Sequence, residues 1–155
     1  MREFHLHVEQ ALNLPRARVF AFFADAANLQ AITPEFLHFR ILTPPPIPMR
    51  EGTLIDYAIR LHGLPIRWRT RIAVWEPERR FVDEQLRGPY RRWIHEHTFE
   101  ALSPQSTLVR DHVRYAVPGG PALEALIERL IVRPRLDRIF AFRTQAIARL
   151  IETAR

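Results

Sequence analysis

Between Phe81 and Tyr115 apolar and polar residues alternate one for one, which is the period of a β-strand. Phe81, Asp83 and Gln85 share one side of the first stretch, and Val82, Glu84 and Leu86 the other. In the second, Trp93, His95, His97 and Phe99 oppose Ile94, Glu96, Thr98 and Glu100. In the third, Val109, Asp111, Val113 and Tyr115 oppose Leu108, Arg110, His112 and Arg114. The set rich in Glu and Arg reads as the solvent face. The other set mixes aromatics with Asp83, Gln85, His95, His97 and Asp111. Burying such groups unpaired costs about 1–3 kcal/mol each, so a purely structural core would exclude them. The pattern predicts an aromatic-walled cavity with a polar floor.

The same rules order the rest of the chain. Phe4, Leu6 and Val8 alternate with His5, His7 and Glu9, giving a first strand. Pro15 suits the first turn of a short helix that ends near Ala24. Asp25 can cap a second, which Thr33-Pro34 stops. Phe36 to Leu42 reads as the next strand, and Pro44-Pro45-Pro46 with Pro48 as a stiff, extended connection. Strands follow near Thr53–Leu61 and Pro65–Trp75, joined by a turn at His62-Gly63; in the second of them Arg67, Arg69 and Arg71 mark the outside. After Pro118-Gly119-Gly120-Pro121 the period changes. Leu123, Leu126, Ile127, Leu130 and Ile131, then Leu136, Ile139, Phe140, Ile147, Leu150 and Ile151, form one amphipathic helix about 50 Å long at 1.5 Å per residue. Pro134 inside it should kink it or relax one turn. The expected fold is α+β: a curved antiparallel sheet of about seven strands wrapped around the long C-terminal helix, with two short helices after the first strand.

Composition narrows the chemistry. The chain of 155 residues reads as a single domain, 1–155, with an ordinary 47% hydrophobic and 26% charged content. There is no cysteine, hence no disulfide, thiolate metal site or thiol nucleophile. None of the 23 basic residues is a lysine, which excludes Schiff-base chemistry and a phosphate-loop lysine. No apolar run is long enough to span a bilayer and no signal-peptide core is present, so a cytoplasmic protein is expected. The net charge of +6 is spread along the chain rather than clustered, which argues against nucleic acid as a partner. No motif calls for a cofactor or a resident metal.

The opening Pro15-Arg16-Ala17-Arg18-Val19-Phe20-Ala21-Phe22-Phe23, with Asn28-Leu29 and Thr33-Pro34, resembles the first helix pair of the SRPBCC, or START-like, superfamily. So do Phe81-Val82-Asp83-Glu84-Gln85, Gly88-Pro89-Tyr90, Trp93, His95-Glu96-His97-Thr98-Phe99 and Asp111-His112-Val113-Arg114-Tyr115. The combination is similar to small stand-alone bacterial members with polyketide cyclase/dehydrase-like labels. The resemblance implies the helix-grip fold shared with START domains and the Bet v 1 group. It carries over no catalytic motif, and fold alone does not assign activity.

Three uses of the inward set stay open. Tyr57, Trp68, Trp93, Phe99 and Tyr115 could wall a site for a small, mostly hydrophobic molecule (lipid-, quinone- or polyketide-like). Asp83, Gln85, His95, His97 and Asp111 would orient its polar atoms, and Phe140 and Arg143 on the long helix would close it. Alternatively, Asp83, His95, His97 and Asp111 are candidate catalytic residues of a cyclase or dehydratase, since a His beside an Asp shuttles protons near neutral pH. His95 and His97 could also join a carboxylate around a metal, a weaker reading because no further ligand spacing supports it. A protein-interaction module with a protein partner is the remaining alternative. Against all of these, His and Asp residues also satisfy one another in purely structural networks.

Overall fold

Residues 1–153 are described by a computed structural model; the last two positions of the expected domain lie outside the described residues. The chain runs β1 (Phe4–Leu12), α1 (Arg16–Phe23), α2 (Asn28–Ala31), a 3-10 turn (Glu35–Leu37), β2 (Arg40–Ile41), β3 (Leu54–Leu61), β4 (Leu64–Glu76), β5 (Arg80–Arg87), β6 (Arg92–Ser103), β7 (Ser106–Ala116), α3 (Pro121–Ile127) and α4 (Arg133–Thr153). A π-turn over Glu128–Val132 joins α3 to α4. The strands form one sheet, ordered β1-β7-β6-β5-β4-β3-β2, and every neighbouring pair is antiparallel. From β2 to β7 it is a meander, and β1 returns to the far edge beside β7. This is the expected α+β helix grip.

Alternation sets which face is buried. On β4, Trp68, Thr70 and Ile72 are buried while Arg67, Arg69 and Arg71 are exposed. The outward arginines find partners across the strands: Arg69 with Asp56, Arg71 with Glu84, Arg80 with Glu76 and Glu96, and Arg110 with Glu9 and Glu100. Such pairs in solvent contribute little stability each. Register shifts between β4 and β5 near Thr70 and Ile72, and between β6 and β7 near Ala101, mark bulges that bend the sheet.

The helix α4 lays Leu136, Phe140, Ile147 and Ile151 against the concave side. Two apolar clusters result. One gathers Leu12, Val19, Phe20, Phe81, Phe99, Val109 and Ile147. The other gathers Leu6, Trp68, Trp93, Val113, Tyr115, Leu136 and Phe140.

Three expectations need correction. The segment Phe36–Leu42 is not one strand: Pro34 starts a 3-10 turn, His38 takes a left-handed conformation (φ 46), and only Arg40 and Ile41 pair with β3. In the first part of the long helix, Leu123, Leu126, Leu130 and Ile131 are exposed rather than packed on the sheet. The inward position there is held by Glu124, which accepts the Arg2 backbone N–H at 2.8 Å and pairs with Arg91 at 3.8 Å. Asp25 does not cap α2 directly; its Oδ1 accepts the Ala27 N–H at 2.9 Å, just ahead of the helix. Pro134 acts as anticipated. It has no N–H to give Leu130 and would crowd that carbonyl, and the preceding turn widens to the π form.

Candidate functional site

A polar layer separates the two apolar clusters. Along β6 the order is Trp93, His95, His97, Phe99; along β7, Val109, Asp111, Val113; on β5, Phe81, then Asp83; on α4, Phe140, Arg143, Ile147. The cross-strand register sets Asp83 opposite His95 and His97 opposite Asp111. Each imidazole reaches both carboxylates. His95 Nε2 lies 2.8 Å from Asp111 Oδ1, and its Nδ1 3.8 Å from Asp83 Oδ2. His97 Nε2 lies 2.9 Å from Asp83 Oδ2. His97 Nδ1 is also 2.9 Å from Asp111 Oδ1, but at an angle too bent for a good hydrogen bond. Arg143 comes in from α4, 3.9 Å from Asp111 Oδ1. The His97 ring lies over the face of Phe81, centroids 4.1 Å apart.

Charge is unequally shared. Burial alone would keep both carboxyls protonated. The Arg143 charge, the His95 hydrogen bond and the adjacent His97 nevertheless hold Asp111 well below its ordinary range. The His97 hydrogen bond and the nearby cations do the same, less strongly, for Asp83. Burial and the neighbouring His97 charge push the His95 pKa down. For His97, burial is outweighed by the close Asp111 and Asp83 carboxylates, and its pKa rises. With ring centroids 3.7 Å apart the two imidazoles cannot both be charged cheaply. The layer thus sets two carboxylates and the Arg143 guanidinium around a His97 whose charged form is favoured and a His95 whose neutral form is favoured.

The layer opens on a cavity of about 200 Å³ between the sheet, α1, α2 and α4. Asp83, His95, His97 and Arg143 are at its wall, with Tyr57, Trp68, Trp93 and Phe140. Tyr57 stacks on Trp68 at 5.7 Å, and Trp68 meets Trp93 edge-on at 5.5 Å. Burial pushes the Tyr57 and Tyr90 phenols far above their ordinary pKa, so both stay neutral. Three buried nitrogens in this wall lack a well-formed hydrogen bond, Trp68 Nε1, Arg143 Nε and His97 Nδ1.

Four expected residues do not line the cavity. Gln85 is on the right face, but it grips the backbone of Tyr90, donating to its O at 2.7 Å and accepting its N–H at 3.2 Å. Phe99 lies beyond the histidines, packed edge-on to Phe20 and Phe23. Tyr115 is fully buried, and its hydroxyl donates to Glu128 Oε1 at 2.8 Å. Asp111 stands behind the histidines rather than at the wall. Conversely, Phe22, Phe23, Leu29, Ile32, Met49 and Tyr90 line the cavity though the alternation rule does not place them there. The helical ones look like ordinary core in sequence, and only the tertiary fold turns them to a void. Ligand atoms of Asp83, His95 and His97 lie within 4.8 Å of one another, close enough to hold an ion. In this structure His97 Nε2 is hydrogen-bonded to Asp83 and His95 Nε2 to Asp111 instead.

The model of the family described as polyketide cyclase / dehydrase and lipid transport matches residues 12–143. The chain belongs to this family. The matched span contains the whole polar layer and every aromatic of the cavity wall. No curated protein matches the chain by sequence. Similar solved structures share the fold at low identity. A Thermus thermophilus protein superposes with a TM-score of 0.75 at 18% identity, covering 97% of this chain and 99% of that one. An aromatase/cyclase from a Streptomyces species gives 0.72 at 15%, covering 97% and 94%. Norcoclaurine synthase from Thalictrum flavum, in complex with dopamine and hydroxybenzaldehyde, gives 0.72 at 15%, covering 99% and 89%. Among the described residues, no helix is long and apolar enough to cross a membrane.

Proposed function

We propose that the chain binds a small, mostly hydrophobic molecule of one or two rings in the cavity between sheet and α4. One observation carries this reading: apolar and aromatic walls meet a polar layer of Asp83, His95, His97 and Arg143 within a single void. An apolar cavity of about 150 Å³ holds benzene, so about 200 Å³ suits a quinone- or polyketide-like ring system better than a long acyl chain. The ligand's apolar rings lie against Tyr57, Trp68, Trp93 and Phe140. An acceptor atom on the ligand faces Arg143. The family description, which spans cyclase/dehydrase and lipid transport, is compatible with a binder. Calorimetric titration with 2-naphthol, 1,4-naphthoquinone and palmitate tests the reading. Saturable binding of the bicyclic compounds, weakened by Arg143→Met, is expected. No saturable binding by any of the three, together with no retained molecule in native mass spectrometry of the protein from cells, overturns it.

A second reading rests on the charge asymmetry at the wall. His95 donates Nε2–H to Asp111, which leaves Nδ1 as the basic atom of a neutral imidazole. In a cyclase-type step His95 Nδ1 takes a proton from carbon next to a ligand carbonyl. The electron pair moves onto the carbonyl oxygen beside Arg143. The enolate carbon then bonds to a second carbonyl carbon of the ligand, whose oxygen takes the proton from His95. The hydroxyl so formed leaves as water with a proton from His97, as His95 removes the remaining proton from the first carbon. Deuterium incorporation into the methyl of acetophenone, followed by NMR, reports the first step alone. Loss of exchange in His95→Gln with ring binding retained supports the step. Exchange no faster than in buffer removes it and leaves the binder.

A further inference from the structure

We propose that His5, His7 and His112 form a binding site for a borderline divalent transition metal such as Zn²⁺ or Cu²⁺, on the face of the sheet turned away from the cavity. His5 and His7 project from the same side of edge strand β1, and His112 on β7 is directly opposite His7. The His7 and His112 rings stack with centroids 4.0 Å apart, and His5 Nδ1 lies 3.0 Å from His112 Nε2. One nitrogen from each ring falls within 4.8 Å of the other two. Nitrogens bound at 2.0–2.1 Å to a tetrahedral ion are about 3.4 Å apart, so the set closes by small rotations of side chains that are not locked in the core. The fourth position faces solvent.

The surroundings fit a cation. Glu3, paired with Arg92 at 3.0 Å, also places Oε1 3.6 Å from His5 Nε2, on the side of the ring away from the Nδ1 that would ligate. On β6, Glu96, shared with Arg80, faces His112 across the ladder. On β7, Arg110 is neutralised by Glu9 and Glu100, and Arg114 is the one nearby cation on that strand that opposes the ion. Arg133, from α4, is engaged with the His5 carbonyl and Asp137. Three imidazoles without a ligating carboxylate select Cu²⁺ and Zn²⁺ over Mg²⁺ and Ca²⁺. The bound ion would clasp the edge strand β1 to β7.

The test is calorimetric titration of the untagged full chain with ZnCl₂, CuCl₂ and MgCl₂. One ion per chain is expected, Cu²⁺ tighter than Zn²⁺, with no response to Mg²⁺. His112→Ala and His7→Ala should each weaken Zn²⁺ binding at least about tenfold, since even lost orienting partners cost about 10–100-fold. His62→Ala, on a distant turn, should bind as the parent. Zn²⁺ uptake that is absent, or that survives joint His5→Ala, His7→Ala and His112→Ala replacement, overturns the proposal.

Discussion

His95 Nε2 and Asp111 Oδ1 meet at 2.8 Å although the strand register pairs Asp111 with His97. The hydrogen bond is diagonal across the β6–β7 ladder. A second diagonal, His97 to Asp83 at 2.9 Å, crosses the β5–β6 ladder. The carboxylates are thus shared between histidines two residues apart, and the four side chains act as one unit.

Asp111→Asn should therefore cost far more than a surface change. It leaves the His97 imidazolium and Arg143 buried with only Asp83 to offset them. Breaking a buried ion pair from one side typically costs about 3–5 kcal/mol. Urea unfolding measures it, and a loss below about 1 kcal/mol would mean that the layer is solvated rather than buried.

The two histidines should give stability opposite dependences on pH. His97 is raised above its ordinary value of 6.5. Its contribution is complete below about 6.5 and is lost as pH rises through the folded-state pKa. His95 is lowered. Its contribution is complete above about 6.5 and falls away as pH drops through its folded value. Urea unfolding from acid to alkaline pH should show both limbs. His97→Gln should remove the alkaline decline; a decline unchanged in that variant would assign the proton elsewhere.

Thr107→Val isolates a single buried hydrogen bond. The hydroxyl donates to the Leu14 carbonyl at 2.8 Å from a fully buried position, tying the start of β7 to the loop after β1. Valine keeps the shape and orphans the carbonyl, so a loss of about 1–3 kcal/mol is expected. Unchanged chemical denaturation would show that the carbonyl has another partner.

Gly88→Ala probes the frame of the cavity. A methyl there meets the Gln85 side-chain amide, which must swing off the Tyr90 backbone. Tyr90 stands at the wall beside Trp68 and Trp93. Ring-ligand affinity should fall while the fold, followed by circular dichroism, persists. Affinity equal to the parent's would mean that the Tyr90 position is set by packing alone.

Much of this architecture is legible in the residues because period two is unambiguous where charge marks one face. That is why Phe81, Asp83, Trp93, His95, His97 and Asp111 were assignable to one side. Parity gives a direction and no depth, however. Gln85, Phe99 and Tyr115 share the face yet lie past the ends of the void. Phe36 to Leu42 reads as strand from its branched and aromatic content, but Pro34 and the left-handed His38 turn it first. The helix pattern likewise gives the stripe of Leu123, Leu126 and Leu130 but not whether the sheet extends beneath it. The metal-site geometry needed register: nothing in sequence brings position 112 beside positions 5 and 7.

The wide turn at Glu128–Val132, pinned at its first residue by the Tyr115 hydroxyl, accommodates one residue more than a regular helical turn. Each residue of an α-helix advances the phase by about 100°, so removing one between Asp137 and Ile147 would swing Ile147 and Ile151 off the sheet. Removing one inside the wide turn would instead take up its extra residue, leaving a helix kinked at Pro134 with Leu136 and Phe140 still aimed at the strands. This stretch is the point in the C-terminal arm where a residue can be lost without rotating the roof of the cavity.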